Sequence, residues 1–377
     1  MEKKPVLEIP ISSDSPKNIL PQKPRLSRRL VFIIVGVILV LWISITLLFN
    51  KSSESIVQPF PINESQLTVV VSPTPTPDPF VELTIPYLRQ REYQSSLTLN
   101  YQVAETESYT SFFATYDSDG LAINGLLTRP KGDPPLGGWP AIVFIHGYIP
   151  PQQYRTTENY NSYVDYLAKN GLVVFKIDLR GHDQSEGEPS GGYYSGDYVI
   201  DALNARAALQ ASDFVNSQKI GLWGHSMAGN IVFRAFVATQ DIPAIVIWAG
   251  AVYTYSDFSD YSIEDNSYQP PRPDSSQAKK RELLWELHGN FVANDPFWQQ
   301  VPGTNYLDGV RGAVQMNHAV DDGVVSIEYS RNLMRILNST QITHELKEYS
   351  SGGHNITGAA FTQAMQNTVE FFKMNLK

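Results

Sequence analysis

The segment 219–230, Lys-Ile-Gly-Leu-Trp-Gly-His-Ser-Met-Ala-Gly-Asn, constrains the fold of this chain more than any other stretch. Its first half is an apolar run that predicts a strand, and residues 227–240 predict a helix. Ser226 lies at the sharp turn between them. Such a turn strains the backbone of its central residue, so the residues two before and two after it must be nearly free of side chain. Gly224 and Ala228 meet that need.

This turn predicts nucleophilic attack by a serine. It lifts the Ser226 hydroxyl above the sheet and places the Met227 amide at the start of a helix, where free N–H groups point at developing negative charge. A small-x-Ser-x-small string also occurs by chance. Here, however, the strand before the serine and the helix after it supply the context that the motif requires.

Strands and helices alternate through the rest of the chain, which predicts an α/β fold with a mainly parallel, doubly wound sheet covered on both faces. Three strands come first, at 97–103, 111–116 and 121–128, and residues 117–120 predict a hairpin between the last two. The later strands are 140–146, 171–178, 243–248, 312–318 and 344–349, and the helices are 163–169, 195–210, 325–337 and one near the carboxyl terminus. Active sites in such sheets lie at the carboxyl ends of the strands.

Candidate partners for the serine follow two of these strands. A serine hydroxyl needs a base to take its proton, and an imidazole base needs a carboxylate to fix its tautomer. Asp321 and Asp322 follow the strand 312–318, and His354 follows the strand 344–349 after two glycines that free the loop to turn the ring inward. The order serine, acid, histidine is the one that this kind of turn requires.

These motifs resemble those of the α/β-hydrolase superfamily, and within it those of dienelactone hydrolases and of the catalytic domains of prolyl-oligopeptidase-like enzymes. The resemblance covers about residues 95–377. The stretches that carry it are GHSMAG at 224–229, FIHGY at 144–148, DLRGHDQSEG at 178–187, NHAVDDGVV at 317–325 and GGHN at 352–355.

The resemblance implies a triad of Ser226, Asp322 and His354. In the family pattern the acid stands four residues after the first member of a His-Gly-like pair, which is His318 here, and Asp321 is the alternative. It also implies an oxyanion hole formed by the backbone amides of Met227 and Tyr148. The Tyr148 ring could cover the pocket or pack beside it, and both remain open.

The loop 178–187 resembles the family's turn, but Asp183 stands where glycine is usual, and Ala228 also departs from the common pattern. His182, Asp183 and Glu186 form a charged cluster, but their spacing on a loop gives them no fixed face for a metal. We therefore predict no metal and no cofactor.

Residues 251–308 leave the alternation of strands and helices. The segment is long for a connection, which predicts a functional cap, and it follows a strand after which this superfamily commonly places lids. We expect substrate choice to be made here. The aromatic residues of the segment could line a pocket, form the cap's own small core, or do both: Tyr253, Tyr255, Tyr261, Tyr268, Trp285 and Trp298.

The amino-terminal part predicts a membrane anchor. Residues 30–49 carry no charge, and twenty residues of helix span about 30 Å, the thickness of a bilayer core. The basic tail 1–29 precedes this run, so the amino terminus should be cytoplasmic and the rest extracytoplasmic. A cleaved signal peptide is the alternative, but no small-x-small cleavage site follows. Residues 50–85, rich in Ser, Thr and Pro, predict a stalk, and residues 86–377 predict the α/β-hydrolase domain.

Charge and cysteine content exclude several functions. The chain has 29 Lys and Arg and 38 Asp and Glu, of which residues 1–51 hold eight and three, so 21 and 35 remain, a balance of −14. An acidic outer domain argues against nucleic acid as a partner. The absence of cysteine excludes disulfides and thiol catalysis.

The sequence thus predicts a membrane-anchored serine hydrolase that cleaves a carboxylic ester through an acyl-enzyme intermediate. A serine peptidase acting on short peptides is the alternative, because the resemblance includes peptidase domains. Acyl transfer to an alcohol would use the same residues. A non-catalytic binding module is a hypothesis of another class, since fold does not guarantee chemistry, but a complete Ser, Asp and His set speaks against it. The oligomeric state is not indicated.

Overall fold

The computed structural model describes residues 78–292 and 294–377, all within one compact unit, Pro75–Lys377. The predicted cytoplasmic tail, the transmembrane helix 30–49 and most of the predicted stalk lie outside the described residues. In the part of the chain that the structure describes, no helix is both long enough and apolar enough to cross a bilayer.

The described strands form one nine-stranded sheet. In chain order they are β1 Leu97–Glu105, β2 Tyr109–Ser118, β3 Leu121–Pro130, β4 Trp139–Ile145, β5 Val173–Ile177, β6 Val215–His225, β7 Ala244–Trp248, β8 Ala313–Ala319 and β9 Thr343–Tyr349. Their order across the sheet is β1-β2-β3-β5-β4-β6-β7-β8-β9. β1, β2 and β3 pair antiparallel, and β3 also pairs antiparallel with β5. The six strands β4 to β9 run parallel to one another. The predicted mainly parallel sheet is confirmed.

Helices cover both faces of this sheet. They are α1 Ile85–Gln90, α2 Asn161–Lys169, α3 Asp197–Gln210, α4 Met227–Thr239, α5 Asp257–Asp260, α6 Ser276–His288, α7 Glu328–Leu337 and α8 Ala359–Asn375. Alternate residues of β4 point to opposite faces, so Val143 packs into the core shared with α3 and α4, whereas Phe144 packs into the core shared with α2 and α8. Both are fully buried, as the continuous apolar run of β4 predicts.

The predicted stalk extends too far toward the domain. Phe80, Leu83 and Ile85 are buried, so the last residues of the predicted stalk 50–85 belong to the folded unit. The reason is local: Thr84 caps α1 by accepting the Tyr87 N–H at 3.4 Å, and the apolar side chains on either side of this cap reach the core.

The insertion 251–308 packs a small core together with the amino-terminal segment of the described chain. Leu284 of α6, Trp298 and Val301 pack together with Phe80 and Leu83 of the amino-terminal segment. Other aromatic residues of the insertion, among them Tyr261 and Tyr268, line a cavity instead. The insertion therefore forms both a core and a wall.

One helix begins later than predicted. Helix α7 starts at Glu328, whereas the pattern predicts a start at Val325. Val325 instead forms an antiparallel bridge with Ile263 of the insertion, which keeps its backbone extended. This bridge joins the insertion to the loop that follows β8.

Candidate active site

Ser226 sits at the turn between β6 and α4 with φ 55° and ψ −121°, a strained conformation for a residue with a side chain. The turn is held by the Ser226 N–H, which donates to the Trp248 carbonyl of β7 at 2.9 Å. Gly224 is required by the same geometry, because a Cβ there would lie 2.6 Å from the Ala228 oxygen. The strained turn and its need for small neighbours are as predicted.

His354 and Asp322 are brought together by the loops that follow β9 and β8. The Nδ1 of His354 lies 2.9 Å from the Oδ2 of Asp322. An ionised carboxylate only accepts hydrogen bonds, so Nδ1 carries the proton and Nε2 keeps its lone pair. The ring is thus set to accept a proton at Nε2.

Asp322 is held by four donors. Its Oδ1 accepts the backbone N–H groups of Val324 and Val325 at 2.8 and 3.0 Å, and its Oδ2 accepts from His354 and from the Nε2 of His318 at 3.1 Å. Burial would raise the pKa of Asp322, but the hydrogen bonds from the two histidines outweigh it and hold the pKa well below its usual range. The carboxylate is therefore ionised at neutral pH.

His318 is a member of this group that sequence reasoning treated only as a marker for the acid. Its Nε2 also lies 3.1 Å from the Val325 carbonyl, and its Nδ1 lies 2.7 Å from the Ser330 hydroxyl. With two acceptors at Nε2, the ring carries a proton on that nitrogen. His318 is thus a fixed donor to Asp322, and its position four residues before the acid was the only signal.

Asp321, the alternative acid, does not reach the imidazole. Its carboxylate accepts the backbone N–H groups of Gly352 and Gly353 at 3.3 and 2.8 Å. The two neighbouring aspartates therefore act on different parts of the same loop: Asp322 contacts the ring of His354, and Asp321 fixes the glycines that precede it.

A second set of hydrogen bonds joins the His354 loop to the serine turn. The Nε2 of His225, the residue before Ser226, lies 2.9 Å from the His354 carbonyl, and the two imidazole rings are 4.6 Å apart. The Nδ1 of His225 lies 2.7 Å from the Tyr160 hydroxyl, which also accepts the Gly147 N–H at 3.0 Å. Tyr160 was not identified from the sequence.

The direction of these bonds follows from the charge of His225. Burial lowers the pKa of His225 to about 3, so the ring is neutral at pH 7 and carries one proton. That proton is on Nε2, which faces a carbonyl, and Nδ1 therefore accepts the Tyr160 O–H. A Cβ at Gly147 would lie 3.0 Å from both the Tyr160 oxygen and the His225 Nδ1, so a larger residue would have to displace these groups by a few tenths of an ångström.

Ser226, Met227 and Tyr148 line one cavity of about 830 Å³. Met227 is the first residue of α4, so its N–H has no partner in a preceding turn. The Tyr148 hydroxyl accepts the Gln269 N–H at 2.9 Å, which ties the loop after β4 to the insertion. Among the described residues no hydrogen bond joins Ser226 to His354; such bonds are often long without substrate and tighten when it binds.

The departure from the common loop pattern at Asp183 has a structural explanation. Asp183 adopts φ 49°, the left-handed region that glycine enters most easily and that aspartate tolerates. Its Oδ2 accepts both the N–H and the hydroxyl of Thr156, at 3.0 and 2.8 Å. These hydrogen bonds of the side chain offset the cost of the left-handed backbone conformation.

Comparisons with known proteins agree with this architecture. A family model described as serine aminopeptidase, S33, matches residues 140–263, which include β4 and the Ser226 turn. The described fold is that of α/β-hydrolases: it superposes on an acetyl xylan esterase from Paenibacillus sp. R4 with a TM-score of 0.54 at 18% identity, over 76% of this chain and 91% of that one. The chain is therefore similar to serine hydrolases in its fold and in the segment around Ser226.

Further similarities of this chain are to peptidases. It superposes on Pyrococcus horikoshii acylaminoacyl peptidase with a TM-score of 0.55 at 18% identity, over 72% of its length and 42% of the peptidase. It is 30% identical to dipeptidyl peptidase 8 of Mus musculus over 157 residues, which are 39% of this chain and 17% of that relative. The chain thus spans about a sixth of the length of this relative.

Proposed function

We propose that this protein is a serine hydrolase that cleaves carboxylic esters through an acyl-enzyme, with Ser226 as nucleophile, His354 as base and Asp322 as the acid that orients it. The observation that carries the proposal is the double attachment of His354. Its ring is bonded to Asp322 at 2.9 Å, and its carbonyl is bonded to His225, which adjoins the serine, also at 2.9 Å. The loop is therefore fixed to both partners.

The reaction follows from these positions. As Ser226 Oγ attacks the carbonyl carbon of the ester, His354 Nε2 takes the hydroxyl proton, and the Met227 and Tyr148 amides donate to the oxyanion. The C–O bond to the leaving group then breaks, and Nε2 returns the proton to that oxygen, which releases an alcohol. Water attacks the acyl-enzyme by the same route in reverse and releases the carboxylic acid.

The insertion supplies Phe258, Tyr261 and Tyr268 to the wall of the cavity around Ser226, where the ester would lie. An ester is favoured over a peptide by the similarity to the acetyl xylan esterase, which extends over 91% of that chain. A peptidase acting on short peptides is the second candidate, supported by the family match at residues 140–263.

We further propose that residues 30–49 anchor the hydrolase in a lipid bilayer, with its amino terminus cytoplasmic and its catalytic domain on the other side. The support is the uncharged run itself and the basic residues before it. Protease treatment of intact cells, followed by detection of an amino-terminal tag, tests this orientation. Digestion of the domain with survival of the tagged tail is the expected result, and loss of the tag contradicts it.

The catalytic proposal is tested by labelling the detergent-solubilised full chain with a fluorophosphonate, beside Ser226→Ala. We expect the wild type to be labelled and the variant not. A series of 4-nitrophenyl esters and peptide anilides then separates the two candidates, with ester turnover expected to dominate. A folded wild type that resists the probe contradicts serine catalysis.

A further inference from the structure

The cavity around Ser226 is lined by charged side chains that differ in how they are paired. Arg180 forms ion pairs with Asp197 at 3.1 Å and with Asp201 at 2.6 Å. Lys280 forms an ion pair with Glu82 at 3.2 Å. Both of these cations are thus already matched by carboxylates of the protein.

The cavity also contains two carboxylates that have no cation within ion-pair distance among the described residues. Glu188 accepts a hydrogen bond from the Ser276 hydroxyl, and Asp265 Oδ1 accepts the hydroxyl and the N–H of Ser267 at 2.6 and 2.8 Å. Each of these carboxylates therefore has a hydrogen-bond donor of the protein as its partner.

Arg281 differs from the other cations that line the cavity, because no described carboxylate lies within ion-pair distance of it. Its guanidinium carbon lies 5.0 Å from the Trp285 ring centre and 5.7 Å from that of Tyr194, so aromatic rings support the group. Its Nη1 donates to the Tyr268 hydroxyl at 3.3 Å. That bond uses one of the five N–H groups of a guanidinium.

Gln277 stands beside this arginine. Both residues belong to α6 and are four positions apart, which places them on one face of the helix, and both line the cavity. The side-chain carboxamide of Gln277 makes no hydrogen bond to the described residues. The helix thus presents a guanidinium and an amide, both with donors to spare, on the wall that faces the cavity.

A chain of contacts connects this pair to the oxyanion loop. The ring of Tyr148 lies 5.4 Å from the ring of Tyr268, and the Tyr268 hydroxyl is bonded to Arg281. Two aromatic rings therefore separate the guanidinium from the loop whose amide we assign to the oxyanion. Ser226 and Arg281 line the same cavity of about 830 Å³.

We propose that Arg281, with Gln277 beside it, binds a carboxylate of the substrate, so that the preferred substrates are esters that carry a free carboxylate. This inference rests on the proposed function. A planar guanidinium matches a carboxylate with two parallel hydrogen bonds, which a single ammonium cannot do. Distant acidic residues of the outer domain oppose an anion only weakly, because charges farther away than about 8 Å are screened at physiological salt. Glu188 and Asp265, which line the same cavity, oppose it more strongly.

The test uses two pairs of esters in which a carboxylate replaces a methyl group. On the acyl side the pair is monophenyl glutarate and phenyl valerate; on the alcohol side it is 4-carboxyphenyl butyrate and 4-methylphenyl butyrate. We expect the wild type to have a kcat/KM about tenfold or more higher for the carboxylate member of at least one pair, since hydrogen bonds between charged groups contribute about 1.5–3 kcal/mol. Arg281→Gln should bring the two kcat/KM values of that pair close to each other.

Lys280→Gln is the matched control, because it removes the same charge from the adjacent residue of α6, whose ammonium is already paired with Glu82. It should keep the ratio of the wild type. Arg281→Lys, which keeps the charge without the planar fork, should keep only part of it. Equal kcat/KM values within both pairs for the wild type, or an Arg281→Gln variant with the ratio unchanged, overturn the inference.

A binding measurement separates this inference from the proposed reaction. In the Ser226→Ala background, calorimetry compares the amide analogues of both pairs, with and without Arg281→Gln: glutaric acid monoanilide with valeranilide, and N-(4-carboxyphenyl)butanamide with N-(4-methylphenyl)butanamide. Tighter binding of the carboxylate compound of at least one pair that disappears with Arg281→Gln supports the subsite even if no ester is hydrolysed. Turnover of esters together with equal Kd values within both pairs overturns the subsite and leaves the reaction standing.

Discussion

The ends of the central strands and the insertion 251–308 are built by different kinds of interaction. At the strand ends, buried polar groups are joined by directional hydrogen bonds, such as those that Asp322 accepts from His318 and His354. In the insertion, aromatic rings pack on one another: the ring centre of Phe291 lies 4.7 Å from that of Phe258 and 4.9 Å from that of Trp298. Atoms that react need a fixed position and angle, whereas a wall needs volume and shape.

This difference has a consequence for mutations. A change at the strand ends should reduce the rate more than the stability, because it misplaces a few atoms and leaves most of the packing intact. A change in the core of the insertion should do the opposite. The following substitutions test whether changes at the strand ends affect mainly the rate and changes in the insertion affect mainly the stability.

The largest effect is expected for Asp322→Asn. The carboxamide has nearly the same shape, but its NH₂ group facing His354 would donate to Nδ1, so the ring proton would move to Nε2, the nitrogen that must accept the serine proton. We expect kcat to fall about 10⁴-fold, measured on a 4-nitrophenyl ester with the folded fraction determined by circular dichroism.

Asp321→Asn is the matched control for this substitution. Asp321 accepts only backbone N–H groups of the His354 loop, and an amide oxygen can still accept one of them. We expect its kcat to fall less than about tenfold. Similar losses for the two asparagine variants would mean that the choice between the neighbouring aspartates is wrong.

The next largest effect is expected for Phe80→Ala, and on stability. Phe80 is 2% exposed and packs into the core of the insertion, so truncation should lower the free energy of unfolding by about 3–5 kcal/mol. Val81→Ala is the control, because Val81 is 37% exposed and should cost less than about 1 kcal/mol. Urea unfolding measures both. The rate of fluorophosphonate labelling of folded Phe80→Ala should stay close to that of the wild type.

A smaller effect, now on rate, is expected for Tyr160→Phe. The substitution keeps the ring but leaves the Gly147 N–H and the His225 Nδ1 without their partner, which loosens the oxyanion loop relative to the His354 loop. A loss of about 1–2 kcal/mol corresponds to a fall in kcat of about five- to thirtyfold, with KM little changed. Tyr166→Phe, on the helix α2 that follows Tyr160, removes a hydroxyl that bonds to no described residue and should have no such effect. Equal kcat values for the two variants would contradict the role of Tyr160.

Features that depend on neighbours in sequence could be predicted from the sequence. The parallel strands follow from apolar runs, and the strained turn at Ser226 follows from Gly224 two residues before it. The thirteen-residue helix α6 was missed in the insertion, although Ser275 is a typical N-cap and accepts the Ala278 N–H at 3.2 Å. The run of Lys, Arg, Glu and Leu after that cap was a usable signal.

Features that depend on distant residues could not be predicted in this way. Tyr160 and His225 are 65 positions apart, and nothing in the spacing indicates that a hydroxyl meets the imidazole. The burial of Phe80 has the same origin, since its partners Leu284 and Trp298 are about two hundred residues away. A Pro-rich run directly before Phe80 also favours a stalk over a core segment. Long-range contacts decided both outcomes.

The smallest effect is the change in the free energy of unfolding per pH unit that comes from the neutral histidines at the strand ends. Burial lowers the pKa of His225 to about 3, and it lowers the pKa values of His146 and His182 below their ordinary value as well. The unfolded chain binds a proton at each of these residues near pH 6.5, whereas the folded chain binds it only at lower pH. The unfolded state therefore binds more protons, and the free energy of unfolding should fall as the pH decreases below 6.5.

His225→Gln isolates one of these protons. Between pH 6.5 and about 3, each group contributes a slope of at most about 1.4 kcal/mol per pH unit, and the variant should lose one such contribution. Urea unfolding at pH 6, 5 and 4 measures the slope, which is informative even though the loss of two hydrogen bonds lowers the stability of the variant at every pH. Carboxylates titrate in the same range but are common to both proteins, so they cancel in the difference. Equal slopes would mean that His225 is protonated in the folded enzyme, and its Nδ1 could then not accept the Tyr160 hydroxyl that joins the oxyanion loop to the serine turn.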